Sequence, residues 1–268
     1  MVLIKTSIDF IETKDKNNDV LLGLWCLKNS NKILEDQNKY KIVSYHWNDR
    51  NKYSRDYFYL ESLYERLLLQ LAKELDEIHG VNQNLKYWRI VIGPWLRFFI
   101  DVIFDRYECI KEAKESYPEL TTKNFSYNLD DWCPSNFSEF WAHITSDEWN
   151  EVVFSECTKV HGIIHKTRRN RIKPSKIYVS KTFNFRNILI SLSKFYSKVV
   201  KTTQTGSILL DAYIPISKLI RLQFKLGQVP YLNVPNIQSL PSKKNLLIRD
   251  NLCREFKFFD SFELFLTG

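Results

Sequence analysis

Two short runs carry the side chains best suited to chemistry. Trp25-Cys26 follows the apolar stretch Asp19–Leu24, and Tyr45-His46-Trp47-Asn48-Asp49-Arg50 follows a second stretch, Lys41–Tyr45. Each stretch reads as a buried strand. In an open parallel sheet, ligands bind beyond the carboxyl ends of the strands, so both runs should face one crevice. Histidine is suited to taking a proton from a hydroxyl near neutral pH, which makes His46 the candidate base. Asp49 would orient it or serve as the base itself, and Arg50 would hold a phosphate or carboxylate. A plainer reading has Trp47 packing, Asp49 capping a turn and Arg50 making a surface ion pair.

Other candidates lie further along. His79 ends a helical pattern, where a capping role competes with a functional one. Arg89 sits in the mostly apolar segment Tyr87–Leu96; it either pairs inside the fold or grips an anionic substrate. Trp88 and Trp95 offer faces for a sugar, though tryptophan is more often core. Arg97, Asp101, Asp105 and Glu108 fall on one helical stripe, read as a solvated, salt-bridged face. Cys157, His161 and His165 have i, i+4, i+8 spacing, but no fourth ligand is evident and no metal is expected. The chain has no glycine-rich phosphate loop, nucleophile elbow or H-E-x-x-H pair, which weighs against an NTPase, hydrolase or metalloprotease.

Several elements must position these groups. Leu60, Leu63, Tyr64, Leu67, Leu68, Leu71, Leu75 and Ile78 form the clearest amphipathic stripe in the chain, and His79-Gly80 supplies its stop. That helix should cover the sheet with its leucines. Leu85–Lys111 reads as a central helix interrupted at Gly93-Pro94. Ser146-Asp147-Glu148-Trp149 opens a third helix reaching Val160. Lys176–Ser180 and Ser207–Tyr213 read as strands, with helices over Phe185–Val200 and, opened by proline, Pro215–Leu226. Strands alternating with helices imply a layered α/β fold with a mainly parallel sheet.

Composition agrees with that class. The chain has 268 residues, 44% of them hydrophobic and 15% aromatic, with only 7 glycines, so long helices over a dense core are expected. Met1–Phe10 is no signal peptide, and Ile90–Ile100 contains Arg97 and cannot be a simple membrane span. Five scattered cysteines read as reduced thiols in a cytoplasmic protein. The formal charge of +8 favours an anionic partner. Lys166, Arg168, Arg169, Arg171, Lys173 and Lys176 concentrate it, as a solvated loop or as contact with an acidic membrane surface or lipid diphosphate.

A series of motifs gives these elements a family. LLGLWC at Leu21–Cys26, YHWNDR at Tyr45–Arg50 and the long helix of Asp56–Asn82 are followed by YWRIVIGPWL at Tyr87–Leu96. FDRY at Phe104–Tyr107, SDEWN at Ser146–Asn150 and LGQVP at Leu226–Pro230 complete it. In order and spacing the series resembles transferases of bacterial O-antigen and surface-polysaccharide gene clusters.

The resemblance implies the Rossmann-like N-terminal half of a glycosyltransferase-B-type enzyme. Residues 1–18 would be an arm, 19–255 one acceptor-side domain and 256–268 the start of a linker. Together with the residue readings above, it makes His46 and Asp49 the expected catalytic residues and Trp25, Arg50, His79, Arg89 and Trp95 the expected substrate contacts. A nucleotide-sugar donor would be the co-substrate, held mainly by a second half on this or another polypeptide. The acceptor would be a glycan or lipid-linked intermediate, at the cytoplasmic side of the inner membrane. The rival expectation is a non-catalytic glycan-binding or assembly module. Nucleic-acid binding, suggested by charge alone, comes third and is not expected as a partner.

Overall fold

The computed structural model describes residues 1–12, 19–28, 40–174, 215–225 and 259–267. Among the described residues five strands form one sheet: β1 (Val2–Ile4), β2 (Asp19–Leu21), β3 (Lys41–Ile42), β4 (Thr121–Ser126) and β5 (Ile164–Arg171). Every pairing is parallel, and the order is β3-β2-β1-β4-β5. Among the described residues the fold is therefore α/β with a parallel sheet, as expected.

The helices are α1 (Ser7–Glu12), α2 (Arg50–His79), α3 (Leu85–Val91), α4 (Gly93–Ser116), α5 (Phe137–Ile144), α6 (Asp147–Val160), α7 (Ile216–Lys225) and α8 (Ser261–Thr267). Two compact units emerge: Met1–Ile177 with Pro241–Gly268, and Tyr178–Leu240. Of the second unit, α7 is the described helix. The expected strands at Lys176–Ser180 and Ser207–Tyr213, the helix at Phe185–Val200 and the LGQVP motif lie outside the described residues.

The centre of the sheet corrects the expectation of an N-terminal arm. β1 lies within residues 1–18 and pairs with both β2 and β4, and its Leu3 and Ile4 are wholly buried. Three residues are too few to show a period, which is why the strand was not legible. β4 was not anticipated either. The basic run corrects the loop reading, because most of it forms β5, paired to β4.

The helices follow local rules more closely. Asp49 accepts from the Asn51 amide at 2.9 Å and caps the start of α2; Gly80, with φ of 61°, closes its end. The break at Gly93-Pro94 is present: α3 stops at Val91 and α4 starts at Gly93. Ser146 Oγ accepts from the Trp149 amide at 3.2 Å and caps α6.

The expectation that α2 covers the sheet is corrected. Its buried face, Leu60, Leu63, Tyr64, Leu67, Leu68 and Ala72, packs mainly on α3 and α4. Lys52 meets Glu108, Glu61 meets Arg97 and Glu65 meets Arg89, so α2 runs antiparallel to the α3–α4 segment. α4 then returns the chain to the amino end of β4. Buried on most sides between Ile103 and Ile110, it is the central helix.

Candidate active site

The strand order reverses between β1 and β4, which is where an open α/β sheet forms its crevice. The carboxyl end of β1 there carries a sealed charge network that was not legible in the sequence. Lys5, wholly buried, reaches Glu151 Oε1 at 3.0 Å, Asp9 Oδ2 at 3.5 Å, Thr122 Oγ1 at 2.9 Å and Asn124 Oδ1 at 3.1 Å. Thr6 Oγ1 donates to Glu151 Oε2 at 2.9 Å, and Arg168 of β5 pairs with Asp9.

Burial opposes the Lys5 ammonium, but Asp9 and Glu151 outweigh it and raise its pKa. Burial dominates at Glu151, whose carboxyl is pushed up to about 7 against the pull of Lys5. Solvent does not reach Lys5 or Glu151, and the network ties the β1–α1 turn to β4 and α6. Trp25 borders it: its indole nitrogen donates to the Lys5 carbonyl at 2.9 Å, its ring stacks on Phe154 at 6.5 Å, and it stays half exposed.

Beyond β3, the Tyr45–Asn48 run meets α4. His46 lies with its side chain fully enclosed, its Nε2 at 3.2 Å from Asp105 Oδ1. Tyr45 Oη donates to the same oxygen at 2.6 Å, and Arg106 pairs with the other. Burial opposes ionisation of Asp105, but the bonds from His46 and Tyr45 and the Arg106 charge hold its carboxyl below the ordinary value. Asp105 and Glu108 are both buried, which corrects the reading of their stripe as solvated, while its reading as salt-bridged holds at Arg97–Asp101, Asp105–Arg106 and Glu108–Lys52. A carboxylate in a helix apolar nearly all round requires partners, and that was the available signal.

The dyad borders a pocket of about 490 Å³ lined by Tyr45, Trp47, Tyr53, Tyr57, Asp101 and Arg106, among others. Asp101 accepts from Arg97 Nε at 3.0 Å through Oδ2, while its Oδ1 is enclosed with no partner among the described residues. Burial raises the Asp101 pKa despite the Arg97 charge. Of the two carboxylates that line the pocket, Asp101 has its pKa raised and Asp105 has it lowered.

The remaining candidates do not join this site. Asp49 is occupied as a helix cap. Arg50 is exposed and makes no hydrogen bond or ion pair among the described residues. His79 is the last residue of α2, stacked on Trp88 at 6.1 Å. Arg89 is held by Glu65 through two bonds of 2.5 and 2.6 Å. Trp95 stacks on Phe99 at 5.2 Å and lines a separate, mostly apolar groove of about 1020 Å³ between α4, α5, α6 and α8. His46 is thus not on an open crevice loop; it reaches the pocket through Asp105. Among the described residues, the His/Cys/Asp/Glu group whose ligand atoms converge within 4.8 Å is His46, Asp105 and Cys109, not Cys157, His161 and His165. Burial pushes the Cys109 thiol up, which disfavours the thiolate a metal would need.

No curated protein and no solved structure matches the chain. A family model described as LIC12162 family transferase matches residues 1–267. With a parallel α/β sheet among the described residues and a family match over virtually its full length, the chain belongs to the LIC12162 family of transferases.

Proposed function

We propose that the protein is a glycosyltransferase of O-antigen or surface-polysaccharide synthesis, and that its acceptor glycan or lipid-linked intermediate docks beyond the carboxyl end of β3. The observation that carries this reading is the aromatic pocket that places Asp101 beside the Tyr45–His46–Asp105–Arg106 constellation. Asp101 would take the acceptor hydroxyl proton, while His46 acts as a positioning residue through Asp105. The donor is a nucleotide-sugar, held mainly by a second Rossmann-like half on this or another polypeptide, as in glycosyltransferase-B architecture. Lys166, Arg171 and Lys173, exposed on and beside β5, would rest on the acidic cytoplasmic face of the inner membrane.

The test is acceptor-dependent release of nucleoside diphosphate from a panel of nucleotide-sugars, with wild type and Asp101→Asn. The expected result is release by wild type and a loss of on the order of 100-fold or more in the variant. Release from no donor, even with the second half supplied, would overturn the reading. The enclosure of His46 favours one alternative, a glycan-binding or assembly module that keeps the pocket and performs no transfer.

A further inference from the structure

Three features of the α2–α4 pocket bear on what it holds. Its wall is aromatic: Tyr45, Tyr53 and Tyr57 are 38%, 45% and 47% exposed, with Trp47 beside them. The Tyr53 and Tyr57 hydroxyls make no hydrogen bond among the described residues and remain available. Its charges are already matched within the protein. Arg97 Nη1 donates to Glu61 Oε2 at 2.7 Å and its Nε to Asp101 at 3.0 Å, while Arg106 pairs with Asp105 and donates through Nε to Asn150 Oδ1 at 3.0 Å.

Paired guanidiniums have little left for a phosphate. A diphosphate here would face two carboxylates, Asp101 and Asp105, with no unengaged cation among the lining residues. Exposed ring faces next to fixed carboxylate and guanidinium edges instead suit a ring with apolar C–H faces and hydroxyls at its rim.

We infer that this pocket is a subsite for a neutral saccharide ring, stacked on Tyr53 and Tyr57, and that it excludes the nucleotide part of a sugar donor. The inference rests on the glycosyl-transfer reading only for which substrate the ring belongs to, the acceptor; the binding chemistry stands without it. Tyr57 is half exposed and lies outside the core, with the Arg97 guanidinium 5.9 Å from its ring centroid, so its removal tests recognition with little effect on the fold.

The experiment is saturation-transfer NMR and titration on the full chain with methyl glycosides of glucose, galactose, mannose and N-acetylglucosamine, beside uridine diphosphate. At least one glycoside should receive saturation on one C–H face. Tyr57→Ala should weaken it about tenfold, the worth of a lost ring contact. Trp141→Ala, an exposed ring outside the pocket, should leave binding unchanged. Absence of glycoside binding, binding indifferent to Tyr57→Ala, or uridine diphosphate displaced by that substitution would each overturn the inference. Glycoside binding at Tyr57 without sugar transfer would retain the subsite and remove the transferase reading; transfer with Tyr57-independent binding would do the reverse.

Discussion

At the scale of single residues, burial assigns most roles. Replacing His46 by alanine removes a bond to Asp105 and leaves that buried carboxylate with fewer partners. A loss of about 2 kcal/mol in unfolding free energy is expected, measured by urea titration. A change under about half a kilocalorie would show that the dyad is not part of the core.

Glu151 gives a sharper signature. Its folded pKa is raised to about 7 from an ordinary value of 4.5, with burial as the main cause. Between those values the folded state holds a proton that the unfolded chain has released. The stability contributed by this group is therefore fully present below pH 4.5 and is lost as pH rises through about 7. Glu151→Gln, which cannot titrate, should be relatively more stable against wild type at pH 8 than at pH 5. A stability difference between the two proteins that stays constant from pH 5 to pH 8 would contradict this account of the network.

At the scale of elements, the ends of α2 separate conformational from packing effects. A Cβ built on Gly80 meets nothing within 4 Å, yet the residue sits at φ of 61°. Gly80→Ala should therefore cost about 1 kcal/mol through backbone strain alone, and Gly80→Asn noticeably less, because asparagine tolerates the left-handed region. Equal melting temperatures for the two variants would mean that the helix end relaxes to another conformation. β5 shows the opposite case, in which pairing overrides local character. Polar and basic over most of its length, it is a strand because β4 offers a partner edge and because Arg168 and Arg171 find Asp9 and Asp131.

At the scale of the whole molecule, charge and topology matter most. No described helix is long and apolar enough to cross a membrane. The proposed contact with an acidic bilayer surface rests on the surplus of +8 and is testable. Wild type should co-sediment with phosphatidylglycerol vesicles at low salt. The triple change Lys166→Ala, Arg171→Ala, Lys173→Ala should weaken this by on the order of 100-fold, at about 1 kcal/mol per charge near an acidic surface. Sedimentation unaffected by the triple change or by salt would place the contact elsewhere or remove it.

The sequence by itself determined the α/β class, the stripe and stop of α2, the break at Gly93-Pro94, the cap at Ser146 and the motif series that reads as a transferase family. Each is a local pattern: a helix's period, a cap and a proline act within a few residues of themselves. Only the tertiary structure showed β1 at the centre of the sheet, Lys5 sealed against Glu151 and His46 bonded to Asp105. Those partners lie 146 and 59 positions apart in the chain. A charged side chain looks the same in sequence whether it faces water or a buried counter-charge. What decides between the two is the element packed against it, so the aromatic pocket became visible only once α2, α4 and the Tyr45–Asn48 turn were set side by side.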